Sequence, residues 1–158
     1  MKLYSLMISN NQIILHQAVV MSSDSTIADL DLNDEHTTVG VDDTLQEAAR
    51  RLLTVPGGVL IVLNDDSRVK GVLGYKQLLQ AIDKEIDTKS AKCGEYMEID
   101  FMEVKINEQI STVLKKIRKR SPQAVVAVDD SGEFSGYFSP NDYKESRGIV
   151  KSLKKLKL

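Results

Sequence analysis

Two side chains near the end of the chain have the types and spacing to hold a polar ligand: Ser139 and Asp142, in Gly136-Tyr137-Phe138-Ser139-Pro140-Asn141-Asp142. An apolar strand end passes there through Ser-Pro into a helix start. A carboxylate offers two acceptor oxygens to a vicinal diol, which a neutral amide does less well. The first turn of the helix also presents free N–H groups to an anion such as phosphate. The same residues form a good helix start in their own right, with Ser as N-cap, Pro at the first helical position and an acid at the third. Capping and binding do not exclude each other.

The elements that position this junction occur twice. From Leu32 onward the chain can be laid on itself without a gap at a constant offset of 65, with Val39 on Val104, Leu60 on Val125, Gly71 on Gly136 and Gln77 on Asp142. A repeat of this length implies two copies of one supersecondary unit packed about an approximate twofold axis. Each copy reads β-α-β-β-α. Strands over Thr37–Val41 and Met102–Ile106 lead to amphipathic helices, with Leu45, Ala48, Ala49 and Leu52 in one and Ile110, Val113, Leu114 and Ile117 in the other at i, i+3, i+4, i+7 spacing. Thr44 to Glu47 has the pattern of a capping box, and Asn107 is the expected cap of the second helix. The apolar runs Val59–Leu63 and Ala124–Val128 read as strands buried on both faces, each turned by an Asn/Asp-rich loop into a third strand, Val69–Leu73 or Phe134–Phe138.

At the junctions the copies part. Gly74 stands where the second copy has Ser139, and Gln77 where it has Asp142. The first copy therefore keeps the residues that make the fold and lacks the hydroxyl and the acid.

Composition excludes several classes. A net charge of -2 gives no general attraction to nucleic acid or to an anionic membrane. Cys93 is the only cysteine, so there is no intrachain disulfide and no cysteine-based zinc cluster, and a reducing, cytoplasmic setting is expected. Polar residues interrupt the apolar runs of residues 1–20, so neither a membrane span nor a signal peptide is read there; Asn10-Asn11 can turn a hairpin, or the second run can form a helix. His16 and His36 are isolated, and the acidic residues Asp29, Asp31, Asp34, Glu35, Asp42 and Asp43 offer either a divalent-ion site or a solvated face, of which the spacing, matching no calcium loop, favours the solvated face. No nucleophile–base pair, metal cluster or phosphate-binding glycine loop stands out, so no enzyme and no cofactor is expected. The organisation is an extension over 1–31, repeats over 32–84 and 97–148 joined by a linker over 85–96, and a basic amphipathic helical tail over 149–158. That tail packs on its own domain or meets a partner.

The lead-in Met97-Glu98-Ile99-Asp100-Phe101-Met102-Glu103-Val104, the run Val125-Val126-Ala127-Val128-Asp129-Asp130-Ser131-Gly132 and the junction Gly136 to Asp142, each in its place in a duplicated unit, resemble the CBS (cystathionine-β-synthase) domain over roughly residues 32 to 148. That domain occurs in tandem as the Bateman module. The resemblance implies an α/β (α+β) fold of two β-α-β-β-α repeats packed through their sheets, with two clefts related by the pseudo-twofold. It implies a regulatory module that binds an adenosine compound such as AMP, ADP, ATP or S-adenosylmethionine, assembles as a homodimer and acts on a protein partner. Carried over by position, the second cleft is lined by Ser139 and Asp142, by Met97 and Met102 before and within the first strand, and by Gln123 and Ala124 entering the second, with Asp142 on the ribose. Gly74 and Gln77 imply that the first cleft has lost or altered its ligand. The rival reading is a structural dimerisation module with both clefts empty.

Overall fold

The computed structural model describes residues 25–155. The hairpin or helix expected before residue 20 lies outside them. The first half contains β1 (His36–Gly40), α1 (Leu45–Leu52), β2 (Val59–Leu63), β3 (Val69–Leu73) and α2 (Tyr75–Asp83). A short helix, α3 (Cys93–Tyr96), precedes β4 (Phe101–Lys105), α4 (Ile110–Arg120), β5 (Ala124–Val128), β6 (Phe134–Phe138) and α5 (Pro140–Lys155). The basic tail thus begins as an unbroken continuation of α5.

Each half is a mixed α+β unit with one three-stranded sheet, the first strand parallel to the second and the second antiparallel to the third. The repeat is kept down to the register. His36 pairs with Val59 and Phe101 with Ala124, and both sheets carry an irregularity at the matching place, after Val62 and after Ala127. On β5 the side chains alternate between two cores. Val125 and Ala127 join Met102, Val104 and the apolar face of α4, while Ala124 and Val126 meet Ile61, Val69 and Val72 of the other sheet. Burial on both faces is what makes the β2 and β5 runs apolar without a break.

Local ends of elements differ in part from expectation. The first strand of each repeat starts and stops one residue early. Thr44 caps α1 by accepting from the Glu47 N–H at 3.2 Å, but the Glu47 carboxylate turns to Arg51 and Arg50 instead of closing the box. Asn107 does not cap α4; its amide donates to Asp130 at 3.3 Å, and the Ile110 N–H is met by the Ser25 carbonyl at 3.0 Å.

The segments leading into the two repeats change places. Ile27 and Ala28 donate to Glu108 and Ile106, and Leu32 accepts from Tyr137 at 3.0 Å, so the lead-in of the first repeat is docked on the second. Cys93 and Gly94 donate to Asp43 and Val41, and Glu98 accepts from Val72 at 2.9 Å, docking the other lead-in on the first repeat. Both glycines of the strand-to-helix stretches are explained by this exchange. A Cβ on Gly136 would stand 2.5 Å from Leu32 Cβ, and one on Gly71 2.6 Å from Met97 Cγ and 2.8 Å from the Glu98 carbonyl oxygen.

These bonds also correct the gapless repeat. They match Leu32 with Glu98, not with Met97, because three residues separate Leu32 from His36 and only two separate Glu98 from Phe101. The additional residue is absorbed in Asn33-Asp34-Glu35, where Glu35 takes a left-handed conformation with φ 56°. The offset of 65 holds from His36 onward.

Candidate functional site

The site begins at the end of β6, where the chain stops pairing and turns into α5. The Asp142 carboxylate accepts from the Ser139 N–H at 2.8 Å, and the Ser139 hydroxyl accepts from the Asp142 N–H at 3.1 Å. This reciprocal cap holds both side chains deep, Ser139 being 1% and Asp142 6% exposed. The first repeat makes half of it with other atoms: the Gly74 N–H donates to the Gln77 side-chain oxygen at 2.8 Å. An amide is therefore enough for the cap, and the fold alone does not account for a carboxylate at Asp142.

Electrostatics set Asp142 apart. Burial pushes its carboxyl above the ordinary Asp range; the N–H and hydroxyl of Ser139 act the other way, while Asp34 and Glu35 add to the rise. Burial likewise raises the Tyr137 phenol, with Glu35 and Asp142 contributing. Three acids and a phenol thus share one neighbourhood. The exposed rim is tied across the repeats by a hydrogen bond from the Asn141 amide to the Glu35 carboxylate. His36 closes the inner side: its Nδ1 lies 2.9 Å from the Asp34 carbonyl, and its ring meets Phe134 and Tyr137 edge to face at 5.4 and 6.0 Å.

The expected lining residues are brought together only in part. Extending the β5–β6 register by one step sets Ala124 opposite Ser139, and exposed Gln123, whose N–H donates to the Asp100 carbonyl, stands beside it. Met97 and Met102 do not join them. Met97 packs in the first repeat's core against Gly71, because the lead-ins are exchanged, and the side chain over Gly136 is that of Leu32, one residue further along in the register set by the hydrogen bonds. Met102 points into the helix-side core of the second repeat; its neighbour Phe101, on the opposite face of β4, lies among the residues between the sheets. What the sequence reasoning missed is the segment Leu32 to Glu35. Its signal was the run of acids before β1, read there as a solvated face.

Other candidates resolve as structural. Cys93, placed by sequence in a linker, is fully buried at the head of α3, and burial, with Asp43 next in weight, pushes its thiol up to about 11, so it is no nucleophile. Among the described residues, no group of three or more His, Cys, Asp or Glu side chains is arranged to hold a metal ion, and no helix is long and apolar enough to cross a membrane.

The family model described as CBS domain matches residues 20–84. No curated protein matches the chain in sequence. Among solved structures, the chain is similar to the CBS domain of a bacterial CNNM/CorC family Mg2+ transporter in complex with ATP, at 19% identity and a TM-score of 0.68, covering 90% of this chain and 98% of that one. It is similar also to a CBS domain protein from Pyrobaculum aerophilum complexed with AMP, at 20% identity and a TM-score of 0.66, covering 82% and 98%. A hemolysin-like CBS protein of Oenococcus oeni aligns at 18% identity and a TM-score of 0.65, over 87% and 98%. The fold is that of a tandem CBS-domain pair.

The family model falls on the first repeat, although the second repeat is the one that carries the hydroxyl and the acid. The second repeat is tied to the first by the shared register and by the matched glycines.

Proposed function

We propose that this CBS pair is a regulatory module that binds an adenosine-type compound in the cleft of its second repeat and performs no chemistry of its own. The observation that carries this reading is the pair of matched caps. Gln77 caps with an amide what Asp142 caps with a carboxylate held in a disfavoured, buried charge state, and a polar ligand offering hydroxyl donors relieves that state. That similar folds are seen with AMP and with ATP supports the choice of ligand class.

The neighbouring acids rank the candidates. Asp34 and Glu35 oppose negative charge close to Asp142. S-adenosylmethionine and AMP are therefore expected to bind more tightly than ADP or ATP. Binding draws the segment Leu32 to Glu35 onto α5, so it biases how the two repeats sit on each other, and a second subunit or a protein partner reads that change. The assembly proposed is a homodimer.

The test is a thermal-shift and calorimetric titration with S-adenosylmethionine, AMP, ADP and ATP, since a ligand bound only by the native state must raise its stability. No shift at millimolar concentration of any of the four would sink the reading and favour a purely structural module, whose support is that Ser139 and Asp142 already satisfy one another.

A further inference from the structure

The helices α4 and α5 together carry ten of the chain's 21 lysines and arginines but only two of its 23 acids, Asp142 and Glu145. The small net charge of the whole chain thus conceals a cationic pole on the second repeat. Both helices turn one side into the same core, through Ile110, Val113 and Leu114 on α4 and Tyr143 and Val150 on α5, and leave the opposite side outward. There Lys115, Arg118 and Lys119 of α4 and Lys144 and Arg147 of α5 are all exposed. Among the described residues none of these five has an acid within ion-pair distance, whereas Lys116 and Arg120 beside them are tied to Glu108 and Asp100. The fold does not call for the five: the offset of 65 puts Arg50, Leu53, Thr54, Leu79 and Ile82 at their places in the first repeat.

Unpaired cations gathered on one face attract an anionic surface. Three observations favour a bilayer over nucleic acid. Base stacking needs a free aromatic ring, and Tyr143, the one aromatic residue of these two helices, is half-buried with the Arg147 guanidinium 5.7 Å over its ring. The cations are spread over the sides of two helices, an arrangement that meets a plane, while readers of a groove insert one helix or one ribbon. Beyond Val150 the sequence runs Lys-Ser-Leu-Lys-Lys-Leu-Lys-Leu, and leucines among lysines have a use at the edge of a hydrocarbon layer that they lack on a phosphate backbone. A second copy of this face is no occupant either, since it would oppose like charges.

We propose that the outer face of α4 and α5 seats this chain on an anionic bilayer surface, with lysine and arginine heads among the lipid phosphates. A cluster of this size is enough to hold a helix on anionic headgroups. The proposal is independent of the ligand assigned to the cleft.

Co-sedimentation of the full chain tests it, with vesicles of phosphatidylcholine alone or mixed equally with phosphatidylglycerol, and circular dichroism to confirm that each variant is folded. The chain is expected to follow the anionic vesicles and not the neutral ones in about 0.1 M salt, and to be released in about 1 M salt, where the screening length falls to about 3 Å. Near such a surface each cation is worth roughly fivefold in binding. Lys115→Glu with Lys119→Glu, or Lys144→Glu with Arg147→Glu, is therefore expected to weaken it by roughly tenfold or more. Lys84→Glu with Lys89→Glu makes the same change of net charge at exposed positions of the first half and leaves binding unchanged. A wild type that stays in solution with the anionic vesicles overturns the proposal, and equal loss from the Lys84 and Lys89 pair overturns the face assigned here. Tighter binding to labelled single- or double-stranded DNA than to the anionic vesicles, measured by fluorescence anisotropy, would give the face to nucleic acid instead.

Discussion

Leu32 lies over Gly136 so closely that the glycine has no room for a side chain: a Cβ there would stand 2.5 Å from Leu32 Cβ and 3.0 Å from its carbonyl oxygen, which is already bonded to the Tyr137 N–H. Gly136→Ala must push the lead-in off β6, and a loss of roughly 1–3 kcal/mol is expected in chemical denaturation, the range for overpacking. Gly71→Ala is expected to cost a similar amount. Part of its clash is with the pliable Met97 side chain, but the Glu98 carbonyl at 2.8 Å is backbone.

The matched caps separate stability from binding. Asp142→Ala and Gln77→Ala each remove an acceptor for the N–H at a helix start, and each is expected to cost about 1 kcal/mol of stability. Only Asp142→Ala should weaken a ribose-bearing ligand, by roughly 1.5–3 kcal/mol in calorimetry, the range for hydrogen bonds to a charged group. Equal loss of binding from both changes would refute a single site in the second repeat.

Asp142 also sets a pH signature. Its carboxyl is raised in the folded state, so between the ordinary Asp value and that raised value the native protein holds more proton than the unfolded chain. The stability it contributes is present at low pH and is lost as pH rises through the folded value. Asp142→Asn keeps the cap acceptor, as Gln77 does, and removes the titration. Its melting temperature relative to wild type should therefore be higher at pH 7 than at pH 3.5. Glu108 runs the other way: burial raises it, but Lys116 and the Lys105 N–H outweigh this and leave it low, so its contribution is lost as pH falls. Comparing Asp142→Asn with wild type at each pH cancels that background.

Ser146 offers a stabilising change. Its hydroxyl is fully buried and has no hydrogen-bond partner, and the first repeat has buried Ala81 at the same place. Ser146→Ala is expected to raise stability by about 1 kcal/mol, the lower end of the cost of an unsatisfied buried group. Denaturant titration showing a loss instead would mean that the hydroxyl has a role in the folded protein.

Cys93 should be inert until the protein unfolds. With the thiol buried and pushed up to about 11, a disulfide reagent at pH 8 is expected to label it slowly in native protein and at once in denaturant.

The alternation of elements, the strand pairs and the junction at Ser139 and Asp142 were legible in the sequence because they depend on local pattern: period, apolar runs and turn residues. The lining of the cleft was not. Met97 stands next to the second repeat in sequence and packs on the first, since a lead-in's destination is decided by long-range docking that no local pattern encodes. Met102 was carried over by position, and on β4 it faces the helix-side core while its neighbour Phe101 faces the other sheet, since successive strand side chains alternate between the two faces. The role of Asp34 and Glu35 was hidden by the residue inserted before His36, which breaks the offset that made the rest of the repeat easy to see.

The exchange of lead-ins means that the boundary between the repeats divides the sequence but not the folding unit. Severed between α2 and α3, each half would leave behind the strand-edge partner and core side chains that complete the other: Ile27 and Leu32 for the second repeat, Cys93 and Met97 for the first. Neither half is then a smaller version of the whole. Because those contacts span long stretches of chain, the module is expected to assemble slowly and late, and to come apart as one cooperative body.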